Sequence, residues 1–231
     1  MHEQHFITVP EATLPDGTIV PSFLVGQYVC SQDEDGKAAV TADGKPWVSI
    51  NYRDAVEACK TAGLALITER QWLAIAHNAA AQACNWTGGA VGEGELFQGL
   101  RNWTVDEAQP GSHDPSDAAE RRWLTLSNGD RICDLNGNVF QWIFDDVQGS
   151  EEGIVARPFY DASPSVLAPF DRMTKGMGWR PNAGADWSGN ALIRGGCWDS
   201  DSDAGVFDLS SDWPGNEGVY VGFRCTKPIG L

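Results

Sequence analysis

The feature that most constrains the fold lies near the end of the chain, where short apolar segments alternate with two polar runs. The apolar segments span residues 192–193, 206–207 and 219–223, and the polar runs span residues 199–203 and 208–217. Short runs of branched and aromatic residues predict buried strands, whereas Asp, Ser and Gly favour turns. We therefore expect a rigid frame that exposes two irregular loops, a setting in which binding residues often occur.

Composition limits the classes of partner. The chain has 231 residues, of which 42% are hydrophobic and 10 are Trp, enough apolar material for a sizeable core. A buried Trp needs a partner for its N–H, so we expect loop carbonyls to accept from these rings. The 16 basic and 32 acidic residues give a net charge of −16. This charge disfavours nucleic acid and anionic membranes, and it favours a ligand with a basic or hydrogen-bond-donating face.

The sequence also bears on location and redox state. No segment approaches the roughly 18 apolar residues of a membrane helix, and M-H-E-Q-H-F at the start lacks the regions of a secretory signal. We therefore expect no membrane insertion and a protein that is cytoplasmic as synthesised, with phage or cell-surface display by another route left open. The six cysteines show no C-x-x-C spacing. They are expected to be reduced and buried, with a zinc site as the alternative.

Two helices are predicted between residues 52 and 82. Apolar residues at helical spacing predict the first helix near residues 52–61, with Gly63 as its stop. Thr68 followed three residues later by Gln71 predicts a capping box for the second helix, which runs to about Gln82. Long irregular segments are expected at residues 84–128 and 148–187.

Four motifs occur in one order along the chain. They are I-T-E-R-Q-W-L-A-I-A at residues 67–76, G-N-V-F-Q-W at 137–142, R-G-G-C-W at 194–198 and V-G-F-R-C at 221–225. Together they resemble the signature motifs of the formylglycine-generating-enzyme-like branch of the C-type lectin fold. The resemblance implies an α+β domain over residues 23–231, with two helices, small antiparallel sheets and long irregular loops. Residues 1–22 are predicted to form an N-terminal extended arm or a hairpin.

One kind of protein in this branch is an oxidase that converts a sulfatase cysteine to formylglycine, and sulfoxide-forming enzymes are related to it. In these oxidases a pair of cysteine thiolates holds copper, as a soft Cu(I) ion requires. Here Cys197 falls inside its motif, and the next cysteine is Cys225 in the closing motif, with no Cys, His or Met between them. The resemblance therefore supplies no visible copper ligands.

The other kind comprises the variable proteins of diversity-generating retroelements, whose framed loops are mutagenised at adenines to bind new ligands. Adenine changes in an Asn codon give Asp, Ser, Gly, Tyr or Val, the types that dominate residues 199–220 here. We therefore predict a non-enzymatic protein that binds an unknown protein or surface ligand through a variable region at about residues 191–225. The alternatives are an oxidase or sulfoxide synthase relative, a structural module and an ordinary acidic loop. The predicted ligand-binding residues are Asp199, Ser200, Asp201, Asp203, Asp208, Ser210, Ser211, Asp212, Trp213, Gly218, Val219 and Tyr220.

No cofactor is expected to be required, but a structural calcium ion is possible. An EF-hand loop that begins at Asp199 is excluded, because Ala204 and Ser210 stand where Gly and Glu are needed. The resemblance to the oxidases implies a different calcium site, in the G-N-V-F-Q-W motif. Its ligands would be Asp134, Gly137, Val139 and Gln141. The alternative is a tight turn at residues 136–138, followed by core aromatic residues.

Overall fold

The computed structural model describes residues 5–229 and has the predicted α+β composition. Residues 1–4 and 230–231, which include the ends of the predicted arm and domain, lie outside the described residues. The two α-helices of the described part are α1 (Tyr52–Thr61) and α2 (Glu69–Ala80). The predicted capping box is present, because Thr68 Oγ1 accepts from Gln71 N and Gln71 Oε1 accepts from Thr68 N. Helix α2 ends two residues before the predicted end.

The first sheet contains strands from both ends of the described chain. Its strands are β1 (Phe6–Val9), β4 (Phe23–Gly26), β7 (Ala65–Leu66) and β14 (Cys225–Pro228). Their order is β1-β4-β14-β7, and all neighbours are antiparallel. The sheet thus joins the first and last strands of the described chain in one layer.

The second sheet carries the loops of interest. Its strands are β10 (Phe140–Ile143), β11 (Ala191–Arg194), β12 (Leu209–Asp212) and β13 (Val221–Phe223). Their order is β12-β11-β10-β13, and the β10–β13 pair is parallel. The prediction of antiparallel sheets is therefore wrong for this pair. The connection from β12 to β13 runs from one edge of the sheet to the other. Strand β13 can therefore run in the same direction as β10, beside which it lies.

Three two-stranded ribbons complete the strands of the described part. They are β2 (Ala12–Thr13) with β3 (Ile19–Val20), β5 (Ser31–Gln32) with β6 (Ala38–Ala39), and β8 (Trp123–Thr125) with β9 (Arg131–Cys133). In the N-terminal segment, β2 and β3 form a hairpin, and Leu14 and Val20 are buried in the main core. The described part of this segment, residues 5–22, packs against the domain.

The core is built around tryptophan rings whose N–H groups reach backbone carbonyls. Trp72 Nε1 donates to Val206 O at 2.8 Å, Trp86 Nε1 donates to Ala80 O at 2.8 Å, and Trp142 Nε1 donates to Ile50 O at 2.9 Å. Two of these three carbonyls lie in loops, as expected for buried indoles. Irregular segments are therefore fixed to the core through their backbone.

The prediction of a strand at residues 206–207 is wrong. Both residues are buried, but strand β12 begins only at Leu209. Val206 accepts the bond from Trp72, and the Phe207 ring meets the His77 ring edge-on at a centroid distance of 4.9 Å. These side chains are buried because they pack on helix α2. Their burial therefore does not indicate that the backbone pairs with a neighbouring strand.

Candidate functional site: two loops on a buried polar frame

Two loops of the second sheet carry the predicted ligand-binding residues. The first loop (residues 195–208) joins β11 to β12, and the second loop (residues 213–220) crosses from β12 at one sheet edge to β13 at the other. An apolar cluster links them: Trp198 of the first loop packs in a cluster with Val139, and Phe140 packs against the same cluster. Phe140 N donates to Tyr220 O of the second loop at 2.9 Å. The two loops therefore adjoin one common apolar base.

The first loop rests on a buried ion pair between Arg194 and Glu69. Both side chains are completely buried, and Arg194 Nε donates to Glu69 Oε2 at 2.8 Å while its Nη2 contacts Glu69 Oε1. Arg194 also donates to the carbonyl oxygens of Phe207 and Asp208 at the end of the first loop. Because a buried charge requires such partners, this guanidinium fixes both the loop and the N-terminus of α2.

A second buried arginine fixes the start of the last strand. The Arg224 guanidinium donates to Gln141 Oε1 at 2.8 Å and to the carbonyl oxygens of Gly26, Cys133 and Asp134 at 2.7–3.0 Å. Burial lowers the pKa of Arg224 from its ordinary value, and the nearby Asp134 opposes this shift. The residue thus connects β4, β9 and β10 immediately before β14.

The G-N-V-F-Q-W motif does not fit the predicted calcium site. Both carboxylate oxygens of Asp134 are bound by Arg122, at 2.8 and 2.6 Å, and Asn138 Nδ2 also donates to Oδ2. Gln141 accepts from Arg224 and donates its amide N–H to Asp134 O. Calcium requires six to eight oxygen ligands, whereas here donors and a guanidinium already surround the carboxylate. Within residues 5–229, no group of three or more His, Cys, Asp and Glu residues has a metal-holding arrangement.

The remaining predicted ligands support this correction. Gly137 O accepts from Val139 N at 2.8 Å, so one of the two predicted carbonyl ligands is engaged in a turn. The backbone of Gly137 has a φ of 68°, which glycine adopts without strain. Val139 is buried in the apolar cluster. The motif is therefore a tight turn followed by core residues, held together by Arg122 and Arg224.

Backbone hydrogen bonds from distant segments hold both loops. In the first loop, Asp201 N donates to Arg101 O at 3.0 Å, and Trp198 O accepts from Trp103 N at 2.9 Å. In the second loop, Gly218 O and Pro214 O accept from Ser49 N and Tyr52 N, both at 3.1 Å. These bonds involve no loop side chain, so they persist when the loop side chains change.

The structure divides the predicted ligand-binding residues by exposure. Asp201, Asp203, Trp213, Val219 and Tyr220 are exposed, and Trp213 retains 68% of its surface. The half-buried members are Asp199, Ser200, Ser210, Ser211, Asp212 and Gly218. Ser210, Ser211 and Asp212 belong to strand β12, where the sequence predicted loop. Among the predicted residues, these five side chains are the most accessible to a large ligand.

Several exposed residues beside these positions were missed by the sequence reasoning. Ser202 and Glu217 are exposed and lie within the predicted polar runs, and this membership could have identified both. Trp103 is 66% exposed with a φ of 58°, and it adjoins the first loop through its bond to Trp198. No local pattern around Trp103 indicates that a residue nearly 100 positions away is its neighbour.

Asp208 is a correction to the predicted ligand-binding set. Its side chain is 2% exposed, and Oδ2 has no hydrogen-bond partner among the described residues. Burial raises the pKa of this carboxyl well above its ordinary value, and the negative charge of Asp203 adds to the shift while Arg194 opposes it. Asp208 therefore belongs to the support of the first loop and not to its exposed surface.

We expect Asp208→Asn to stabilise the protein at neutral pH by about 1–3 kcal/mol, because it replaces a carboxyl whose charged form is disfavoured by burial with a neutral side chain of the same shape. A raised folded-state pKa means that the wild type is most stable below the unfolded pKa of about 3.9 and loses stability as the pH rises through the folded-state pKa. Urea unfolding of both proteins across pH measures this difference. The exposed control, Asp203→Asn, should change stability by less than about 0.5 kcal/mol, and equal effects of the two substitutions would contradict the assignment.

Cys197 is a buried residue of the first loop, and its Sγ makes no hydrogen bond to a second thiol among the described residues. Its Sγ donates to Asp199 Oδ1 at 2.9 Å and lies 3.4 Å from Ser200 Oγ. Burial, reinforced by the bond to Asp199, raises the pKa of the Cys197 thiol to about 12. Because a thiolate is both the nucleophile and the metal-binding form of cysteine, binding of a metal ion at this position requires release of the thiol proton.

Comparison with known proteins extends these observations. The chain matches the family model described as "Sulfatase-modifying factor enzyme 1-like domain" over residues 19–229, whereas no match was found among curated protein sequences. PvdO from Pseudomonas aeruginosa is similar in structure, with 14% identity, a TM-score of 0.50, and coverage of 98% of this chain and 95% of that chain. The likeness to PvdO concerns the fold alone.

Two further solved structures are similar at lower scores. Treponema denticola variable protein 1 has 15% identity and a TM-score of 0.46, with coverage of 96% of this chain and 94% of that chain. The M1 variant of Major Tropism Determinant has 17% identity and a TM-score of 0.43, and the match covers 94% of this chain but 52% of that one.

Among residues 5–229, no helix has the length and apolar character needed to cross a membrane.

Proposed function

The chain belongs to the family of sulfatase-modifying factor enzyme 1-like domains, and we propose that it uses the C-type lectin-like fold of this family to bind ligands without catalysis. The observation that carries the proposal is the separation between frame and surface. The exposed side chains of both loops stand on backbone that is held by backbone bonds from other segments and, at the end of the first loop, by the buried Arg194. Such a surface changes its specificity through side-chain replacement alone.

The proposed ligand is a protein or surface group with a cationic, hydrogen-bond-donating face. Asp201, Asp203 and Glu217 are exposed acidic residues on the two loops, in a chain with a net charge of −16. Trp213 and Tyr220 add exposed aromatic rings, which bind Arg and Lys side chains through cation–π contacts. Aromatic residues also dominate the energy of many interfaces. The combination favours a basic protein segment as the bound group.

Rigidity of the loops supports binding. Ordering a flexible loop costs about 0.5–1.5 kcal/mol for each immobilised side chain, and further backbone ordering adds to this cost. Here Ser49, Tyr52 and Trp103 already fix the loop backbone through their N–H groups. Little loop order remains to be lost on binding, so affinity depends mainly on the exposed side chains.

The sequence resemblance leads to a sharper form of the proposal, in which a retroelement diversifies the two loops. Its test is a search of the surrounding DNA for a near-copy of the segment that encodes residues 194–224, next to a reverse-transcriptase gene. We expect differences only at adenines of the copy, in codons for exposed loop residues such as Asp203 and Val219. Codons for buried Arg194, Phe207 and Asp208 should be unchanged.

The segment that encodes residues 84–128 is the matched control, because it is a long irregular loop region of the same chain and should have no copy. Differences spread over all bases, or over codons of buried residues, would contradict diversification. Absence of any copy would leave an acidic binding loop of fixed sequence.

Family membership also favours a second candidate, a copper oxidase or sulfoxide synthase relative. This reading requires that Cys197 binds copper as a thiolate, although the pKa of its thiol is raised to about 12. Stoichiometric Cu(I) binding that is lost in Cys197→Ser, with the fold retained, would support the enzyme. If the folded wild type does not bind Cu(I), the result would favour the ligand-binding function over the oxidase.

A further inference from the structure

A cavity of about 360 Å³ adjoins the first loop. Its wall is formed by residues of three segments, 95–102, 173–176 and 201–202. Asp201 and Ser202 are exposed side chains of the first loop, whereas Arg101 comes from a segment nearly 100 positions earlier. We refer to this space as the Arg101 cavity.

The Arg101 guanidinium lacks the partners that the other frame arginines have. Its Nε and Nη1 atoms are shielded from solvent, and neither has a hydrogen-bond partner among residues 5–229. By contrast, the guanidinium groups of Arg194 and Arg224 donate to side-chain and carbonyl oxygens. Shielded donors without acceptors cost free energy. An acceptor that enters the cavity would therefore stabilise this side chain when it turns toward the space that it lines.

The backbone of Arg101 is fixed, although its guanidinium is not. Glu120 is 1% exposed, and its Oε1 accepts from Arg101 N at 2.7 Å and from Asn102 N at 2.8 Å, while its Oε2 contacts Thr104 Oγ1. Arg101 O accepts from Asp201 N at 3.0 Å. The Glu120 carboxylate is thus occupied by other donors, and the chain holds Arg101 beside the first loop without using a loop side chain.

The backbone around the cavity adopts conformations that are rare for residues other than glycine. Met173, Lys175 and Asp201 have φ values of 62°, 53° and 49°. Lys175 O accepts from Leu96 N at 3.0 Å, which joins two of the wall segments. Such conformations persist only where surrounding contacts fix them, and they cluster at ligand-binding sites. They are a second, independent feature of this cavity that is typical of a binding site.

We propose that the Arg101 cavity binds one carboxylate of the protein ligand, with Arg101 as its cationic contact. Guanidinium and carboxylate groups form charge-assisted hydrogen bonds. Glu95 and Asp201 also line the cavity, and their negative charges disfavour a dianion such as phosphate. They favour a carboxylate that has a cationic group beside it. The inference rests on the proposed function, because it assigns a second contact to the same basic protein segment.

This contact differs from those of the loops because it is constant. Arg101 lies outside both loops and outside residues 194–224, the segment proposed to be diversified. Ser202 and Asp203 would set specificity, whereas Arg101 would hold a carboxylate in every variant. Ligands of different loop sequences would then share an acidic group at the position that faces this cavity.

The test is an NMR titration of the full ¹⁵N-labelled chain with two small carboxylates. N-acetylglutamate α-amide carries a side-chain carboxylate, and N-acetylglycine carries a terminal one. We expect at least one of them to shift the Arg101 Nε–H signal and the backbone amides of Asp201 and Ser202 in a saturable way. The tighter of the two identifies the source of the carboxylate. N-acetylglutamine α-amide, the neutral analogue, should leave these signals unchanged.

Variants separate a binding role of Arg101 from a structural one. Arg101→Gln should weaken carboxylate binding by about tenfold or more, because it removes the charge. The matched control is Arg53→Gln, since Arg53 is 69% exposed and outside the cavity wall; it should bind as the wild type does. Arg101→Met should have a Tm no lower than that of the wild type, because it removes shielded donors that lack acceptors.

Asp203→Asn distinguishes this inference from the proposed function. Asp203 is exposed on the first loop but is not part of the cavity wall, so its replacement should weaken binding of the protein ligand and leave that of the small carboxylates unchanged. Titration of the wild type requires no variant to fold. If neither carboxylate shifts signals at the cavity, or if the neutral analogue or Arg101→Gln gives the same shifts, the carboxylate site is wrong while the loop surface stands.

Discussion

Arg194→Met is expected to destabilise the protein by about 3–5 kcal/mol, because it leaves the Glu69 carboxylate buried without its counter-charge. Methionine retains the packing of the aliphatic part of the arginine side chain and lacks only the guanidinium end. The substitution also removes the donors to the carbonyls of Phe207 and Asp208, which end the first loop. Denaturant unfolding measured by fluorescence of the core tryptophans reports the free energy, and loosening of the loop should weaken ligand binding as well.

Two further variants show whether charge burial is the cause. Replacing both partners, with Arg194→Met and Glu69→Leu together, should recover much of the lost stability, because the Glu69 charge is then removed together with its counter-charge. Breaking the exposed pair between Lys45 and Glu107 by Lys45→Met should cost less than about 1 kcal/mol, since both side chains are more than half exposed. If Arg194→Met were as mild as Lys45→Met, Arg194 would not hold the frame.

Gly196→Ala is the second substitution with a large expected effect. Gly196 has a φ of 82°, and a Cβ there would lie 2.7 Å from both Ala204 Cα and Ala204 Cβ. The left-handed backbone costs an alanine about 1–2 kcal/mol, and the overpacking adds about 1–3 kcal/mol. We expect a loss of about 2–5 kcal/mol in the free energy of unfolding, with displacement of the first loop.

Gly189→Ala provides the matched control, because Gly189 has a φ of 94° but open space around its Cβ position. It should show only the backbone cost of about 1–2 kcal/mol. Denaturant unfolding of both variants separates the two contributions. A Gly196→Ala protein as stable as Gly189→Ala would mean that residues 196 and 204 are not in close contact.

Local chemistry allowed the sequence to predict helices and exposed loop residues. The capping box of Thr68 and Gln71 depends on residues three positions apart, and its bonds form as expected. Likewise, Asp201 and Asp203 are exposed because they lie in a short polar run between buried segments. The order of the four motifs predicted the family, which matches over residues 19–229.

Where the sequence failed, the missing information was a partner far along the chain. Asp134 carries the carboxylate that a calcium site requires. In the structure, Arg122 binds this carboxylate and Arg224 binds the Asp134 carbonyl, both from other elements. Asp208 lies in the same polar run as the exposed Trp213 and Glu217, yet Gly178 and Gly196 pack against its side chain. The sequence predicted a strand at Val206 because a short apolar run is typical both of a paired strand and of a loop segment that is buried without pairing.

The backbone anchoring of the two loops has a consequence for mutational robustness. Because Arg101 O, Ser49 N and Tyr52 N bond to loop backbone and not to loop side chains, most replacements at Ser202, Asp203 and Val219 leave the fold intact. Position 201, with a φ of 49°, is the exception, since Asp, Asn and Gly tolerate this conformation best. Stability and specificity are thus encoded at separate positions, so a combinatorial library at the tolerant sites would consist mainly of folded members.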